Sequence, residues 1–219
     1  MTKSFVHLHA HTEYSMLDGA AKIVDYLKKV KELNQPAAAI TDHGNLYGAM
    51  EFVQKANDLG IKPIIGYEAY ITPGSRFDRP DRENNKRYHL TLLAENNIGY
   101  QNLVELVSKA YTEGYYYKPR IDYELLEQHH DGLIALSGCL GGELAQHLAP
   151  DGSVEEGNTS NERSFEKALE VAKKYQSIFG KNNYFIEIHN HGIKQQLDIL
   201  DDLVEIAEII EAPLVAAND

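Results

Sequence analysis

Cysteine is nearly missing from this chain: Cys139 stands alone among 219 residues. A single cysteine excludes an internal disulfide and fits a reducing, cytoplasmic setting. Long apolar runs are missing too. None approaches the ~20 residues that cross a bilayer, so no membrane association is expected. Polar His and Glu follow within a few residues of Phe5-Val6, which does not fit a secretory leader. Basic residues are in deficit: 21 Lys and Arg against 33 Asp and Glu give a net charge of −12. That balance argues against a bare nucleic-acid-binding surface. If nucleic acid is bound, metal ions or a basic partner must supply the attraction. Disorder is excluded as well, since 43% of the residues are hydrophobic and 25% charged. A chain of this length can bury one large core, and one α/β barrel over 1–219 is an ordinary use of it.

What is abundant is histidine, ten residues in all. His9 and His11 close an expected strand at Phe5–His9. Two residues apart on an extended chain, their imidazoles point to one side and make half of a metal site. Asp18, seven residues further on, can swing back from a turn as an oxygen ligand. Taken alone, the segment also reads as a histidine-rich terminus with solvated rings.

Apolar runs and helical periodicities alternate along the rest of the chain. Strands are expected at Ala37–Ile40, Lys62–Ile71, Tyr88–Ala94, Leu133–Leu136, Tyr184–His189 and Leu214–Ala217. Helices are expected at Ala20–Leu33, Leu46–Leu59 (stopped by Gly60), Tyr100–Tyr111, within Ile121–His130, at Glu162–Phe179 and at Lys194–Ile210. Loops fill 72–87, which is rich in arginine, Gly114–Arg120, which mixes tyrosine with basic residues, and the Gly/Ser/Asn-rich 150–161. The alternation implies a parallel sheet, open or closed.

In such a sheet the strand C-termini carry the chemistry. Here they bear His9 and His11, Asp42 and His43, Glu68, Cys139, His189 and His191, and Asp219. His89 is the exception, near the start of its strand. Imidazoles and carboxylates with one thiol suit Zn, Mn or Fe in a hydrolytic site. Two or three such ions close together activate water and clamp a phosphate oxygen. Asp42 either orients His43 or caps the following helix. His191 is a supporting or substrate-facing group, and His189 is open between packing and the site. His7 is expected to pack deeper in the barrel, and His129, His130 and His147 to lie on the surface. Loop 76–87 is either solvated or steers DNA, and Tyr115–Arg120 either stacks bases or packs on another domain.

The segments His9-Ala10-His11-Thr12-Glu13-Tyr14-Ser15 and Thr41-Asp42-His43-Gly44 resemble the two leading motifs of the polymerase and histidinol phosphatase (PHP) family. Gly66-Tyr67-Glu68-Ala69-Tyr70, Tyr115–Asp122 and Ser137–Gly142 resemble the branch of that family found at the N-terminus of bacterial replicative polymerases. The resemblance implies a distorted seven-stranded (β/α)7 TIM-like barrel with the metal site at the C-terminal strand ends. It implies up to three divalent ions (Zn, Mn or Fe, with Mg admissible) on His9, His11, Asp18, His43, Glu68, His89, Cys139 and Asp219. Glu68 would bridge two of them. His9, His11, His43, Glu68 and His89 would then be catalytic, with Asp42, His191, Lys118 and Arg120 as supporting or substrate groups. The implied reaction is 3′–5′ hydrolysis at a DNA end. The implied partners are the rest of a polymerase and, in members that keep the domain as a scaffold, a separate proofreading exonuclease. A ninth family ligand would fall two residues past Asp219, so the chain reads as cut from a longer one. A phosphomonoesterase of the histidinol-phosphate type and a non-catalytic scaffold are the alternatives.

Overall fold

A computed structural model describes residues 5–82, 84–149 and 162–219. Glu83 and the loop expected at 150–161 lie outside the described residues. The elements run α1 (Ile23–Glu32), β1 (Ala37–Ile40), α2 (Ala49–Leu59), β2 (Lys62–Ile71), β3 (Tyr88–Ala94), α3 (Asn97–Thr112), β4 (Arg120–Ile121), α4 (Tyr123–Gln128), β5 (Leu133–Leu136), α5 (Glu143–Leu148), α6 (Phe165–Phe179), β6 (Tyr184–Ile188), α7 (Lys194–Asp198), α8 (Leu200–Ile210) and β7 (Leu214–Ala216). The sheet order is β1-β2-β3-β5-β6-β7, with β4 also paired to β2. No described helix is long and apolar enough to cross a membrane.

Helix formation follows the apolar spacing. In α1, Ile23, Leu27 and Val30 form one buried stripe, which packs with Phe52 and Ala56 of α2 and Ala38 and Ile40 of β1. Gly60 ends α2 in the left-handed conformation at φ +70°, where glycine has no Cβ to clash. Ser164 caps α6 by accepting from Lys167 N. A larger cluster packs α3, α5, α6 and α8 further along the same outer face of the sheet. The sheet curls, so that Ala39, Leu93 and Leu136 meet Leu8, Ile64, Phe185 and Val215 in a small inner core. That plug closes one end of the barrel and leaves the polar residues at the other.

Four expectations need correction. The sheet is mixed, not parallel: β1–β2, β2–β4, β5–β6 and β6–β7 are parallel, but β3 runs antiparallel to both β2 and β5. The cause is the 72–87 connection, whose described residues hold no helix. A parallel return needs a long crossover, usually helical, whereas an antiparallel one does not. Phe5–His9 is not a regular strand. It lies beside β1 through single backbone bonds from Ala39 N to His7 O (2.9 Å) and Thr41 N to Ala10 O (2.9 Å). The helix expected at Lys194–Ile210 breaks at Ile199 into α7 and α8. Helix α5, which the sequence reading left out, follows the Ser137–Gly142 turn.

Candidate metal centre

Glu68 occupies the middle of the polar end. Its backbone continues the β1–β2 pairing, accepting from Gly44 N at 2.8 Å and donating to Asp42 O at 3.1 Å. Gly44 makes this turn at φ +65°, with Pro119 and Tyr70 packed where a Cβ would stand. The Glu68 side chain is buried. Four imidazoles surround it: His9 Nε2 at 3.2 Å, His89 Nδ1 at 3.1 Å, His11 Nε2 at 3.8 Å and His43 Nδ1 in closer contact. Burial alone would raise its pKa. The rings of His89, His43 and His9 outweigh that and hold it well below the usual carboxylate range.

His89 reaches this cluster because β3 is reversed. The start of an antiparallel strand lies at the same end as the finish of its parallel neighbours, and His89 sits opposite Tyr70 in the β2–β3 register. Asp18 and Asp219 approach from the rim. Asp18 Oδ2 accepts from His43 Nε2 at 2.8 Å, and Asp219 Oδ1 lies 2.9 Å from His11 Nε2 and 3.5 Å from His9 Nε2. Cys139 Sγ is 3.8 Å from both Glu68 Oε1 and His89 Nδ1. Burial, reinforced by the Glu68 charge, pushes its thiol up to about 11. Ligation there would require a cation to draw off the proton.

Two carboxylates organise this end from outside the cluster. Asp42 accepts from Thr12 N (2.6 Å), Thr12 Oγ1 (2.7 Å) and Ser15 Oγ (2.7 Å). Ser15 in turn accepts from His43 N at 3.1 Å and lies 3.3 Å from His11 Nδ1. Asp42 therefore fixes His11 and His43 through Ser15, not by direct contact. The second carboxylate, Glu187 on β6, was not singled out in the sequence. It is buried and accepts from His9 Nδ1 at 2.7 Å and Gly138 N at 3.1 Å, with His189 Nε2 3.0 Å away. Burial would raise its pKa, but His9 and His189 hold it down at about 2. Gly138, at φ +88°, could not carry a Cβ, which would meet His89 O at 2.8 Å. The one available signal for Glu187 was an acidic residue inside the otherwise apolar Tyr184–Ile188.

Three other expected residues fall outside the cluster. Arg120 is fully buried, and its guanidinium is spent on Gly114 O, Asn85 Oδ1, Arg76 O and Asp78 O. It holds the 76–87 loop and does not face the cluster. Arg76 likewise pairs with Asp122 and Glu113, so two arginines near the expected DNA-steering loop are structural. His191 is exposed and bonded to Gln196. Lys118 stands nearer the cluster, at the edge of a cleft shared with His43 and Asp18. Among the remaining histidines, His189 is buried and His147 is half-buried, its ring 6.4 Å from Tyr88. His7 packs on Phe5 and Tyr26.

The donor set fits divalent cations. Among the described residues four overlapping groups place ligand atoms within 4.8 Å of one another: His9, His11 and Asp219; His11, His43 and Glu68; Glu68, His89 and Cys139; His9, Glu187 and His189. His9 Nε2, His11 Nε2, His43 Nδ1 and Glu68 Oε2 are buried without a hydrogen-bond partner of acceptable geometry. Buried polar atoms are seldom left so, and here they converge on one another. With His9 Nδ1 given to Glu187, its Nε2 lone pair is directed into the cluster, a carboxylate–imidazole arrangement that orients a metal-binding ring.

The PHP domain family model matches residues 7–191. DNA polymerase III subunit alpha of Treponema pallidum is 48% identical over 217 residues, covering 99% of this chain and 18% of that protein. The Thermus aquaticus subunit is 50% identical over 219 residues, covering 98% of this chain and 17% of that protein. The chain thus spans less than a fifth of the length of these relatives. A Bifidobacterium adolescentis crystal structure, described as a metal-dependent phosphoesterase, shares the fold with a TM-score of 0.50 at 11% identity, over 99% of this chain and 87% of that one.

Proposed function

This chain belongs to the PHP domain family, and from that membership and its geometry we propose a metal-dependent phosphoesterase acting on the 3′ end of DNA. We further propose that it forms the N-terminal domain, over 1–219, of a cytoplasmic DNA polymerase III alpha subunit. The observation that carries the reading is the convergence on one centre of buried lone-pair atoms of His9, His11, His43 and Glu68 that lack a well-formed hydrogen bond.

His9, His11, His43, Glu68, His89, Cys139 and the rim carboxylates Asp18 and Asp219 would hold up to three divalent ions, with Zn, Mn and Fe favoured by the imidazoles and Mg admissible. Bound there, such ions supply Lewis acidity toward a phosphoryl oxygen and an activated water. Glu68, with oxygens facing imidazoles on two sides, suits a bridging role. Glu187 and Asp42 keep the rings of His9, His11 and His43 in place. Lys118 offers a positive charge beside the cluster for the substrate phosphate. Cations supply what the −12 net charge withholds, an attraction for a polyanion. The downstream polymerase is the expected covalent partner, and a separate exonuclease subunit a further one.

The test is a primer bearing a 3′ mismatch, incubated with full-length polymerase purified free of other nucleases and loaded with Zn, Mn or Fe. Shortening of the primer, abolished by Glu68→Gln, is expected. An uncut primer under all three metals overturns the reading.

A further inference from the structure

Beside the imidazole cluster opens a cleft of about 410 Å³, and the wall facing His43 and Asp18 is largely tyrosine. Tyr111 of α3 and Tyr115 of the following loop stack with ring centroids 6.0 Å apart and 27° between planes. Tyr47 leans on Tyr111 at 6.4 Å. Tyr115 and Tyr117 are 55% and 62% exposed, although large rings are on average well buried.

Tyr117 adds an independent observation. Its φ is +61°, a left-handed conformation that bulky residues rarely adopt and glycine or asparagine adopt readily. A tight turn holds it, with Tyr116 N bonded to Lys118 O at 3.0 Å. An aromatic ring kept at a strained backbone position, exposed and inside a cleft, points to a ligand.

The cleft's charge says which ligand. Lys118 is the one lysine or arginine among its described lining residues. Its Nζ lies 3.2 Å from Tyr70 Oη and 5.0 Å from the centre of that ring. One cation can serve one phosphate. A duplex backbone needs a row of them, and its bases remain stacked on each other. Aromatic faces instead take unpaired bases, with little regard to sequence.

We infer that this cleft is a stacking platform for one unpaired nucleotide, its base against Tyr115 and Tyr117 and its phosphate between Lys118 and the His43 side of the cluster. For the fate of that phosphate, the inference rests on the phosphoesterase reading; the base-binding part does not. A terminal nucleotide frayed from a duplex and a free nucleoside monophosphate share the required chemistry.

Binding is measured by fluorescence anisotropy in the presence of EDTA, so that no cleavage intervenes. The probes are a six-residue oligothymidylate, a blunt duplex, and thymidine monophosphate as competitor. Tyr115→Ala and Tyr117→Gly should each weaken oligothymidylate binding roughly 5- to 150-fold, and Tyr117→Phe should not. Glycine relieves the left-handed strain at 117, so that variant keeps its fold, which circular dichroism checks. Weak duplex binding supports the platform, and efficient competition by the monophosphate supports it with a free nucleotide as the ligand. Unchanged binding in the alanine and glycine variants, or duplex binding as tight as that of the single strand, overturns it. Tyrosine-dependent binding without cleavage on metal addition supports the platform and overturns only the phosphoesterase reading.

Discussion

Glu187 Oε1 accepts the Nδ1 proton of His9 at 2.7 Å, and this one bond fixes which nitrogen of His9 faces Glu68. Removing the charge while keeping the shape, as in Glu187→Gln, lets the amide present either donor or acceptor to the ring. Ring orientation and basicity then suffer together. Loss of such a supporting carboxylate lowers metal affinity by about 10- to 100-fold. Competition with a zinc chelator measures it directly, and an unaltered affinity would show that His9 is held by packing alone.

A protein that binds ions only when folded is stabilised by them. At metal concentrations of about 100 times Kd the gain is roughly 2.7 kcal/mol per site. For a chain of this length that corresponds to a melting temperature lower by very roughly 5–10 °C after chelation. Scanning calorimetry with and without EDTA tests it. Coincident melting curves would mean that the cluster binds no ion under those conditions.

Asp122 binds Arg76 Nη1 through both oxygens (3.0 and 3.1 Å), accepts from Arg76 N at 2.9 Å, and caps α4 at Leu125 N (3.0 Å). Both side chains are largely buried. Asp122→Ala removes one carboxylate from a guanidinium that keeps Glu113, and should cost about 1.5–3 kcal/mol in urea unfolding. Metal content should hold in the folded fraction, because no candidate ligand touches this pair. A loss below about 1 kcal/mol would rank it with surface ion pairs.

Glu143 is buried between Tyr123 and Tyr175, whose hydroxyls both donate to Oε2 (2.5 and 2.9 Å). Burial raises its pKa from 4.5, and the two phenols only partly offset this. The sign follows. Between its unfolded and folded pKa values the native state binds more protons, so stability falls as pH rises through that window. Glu143→Gln should flatten this decline above about pH 4.5, as read from urea midpoints at several pH values. Parallel wild-type and variant curves would exclude the effect.

Spacing placed the polar residues at strand ends and turns, while the choice of a ligand set among them came from the family resemblance. Glu68 and Asp219 sit in positions that an alternating chain pattern assigns to strand ends, and the structure brings them together with His9, His11 and His43; Asp18, assigned to a turn, meets His43 at the rim. His89 looked misplaced because the sheet was read as parallel; the missing helix in 72–87 was the cue to its reversal. Arg120 was misread because a basic residue beside tyrosines looks like a nucleic-acid contact. Only the packed structure reveals four carbonyl and amide oxygens already bonded to it. Glu187 was missed for the opposite reason. One acid in an apolar strand has no period to betray it, and its partner His9 lies 178 positions away.

The 2.9 Å contact between His11 and Asp219 joins the two ends of the described chain. Closing a loop of this length costs on the order of 5 kcal/mol in chain entropy. During synthesis, which proceeds from the N-terminus, His9 and His11 leave the ribosome early and wait for Asp219. A nascent chain can gather His43, Glu68 and His89 first and acquires Asp219 only after the other candidate ligands of this domain have emerged. Capture of an ion by Asp219 would fasten it to His11 across the whole sheet, a clasp that can shut only once β7 has been made.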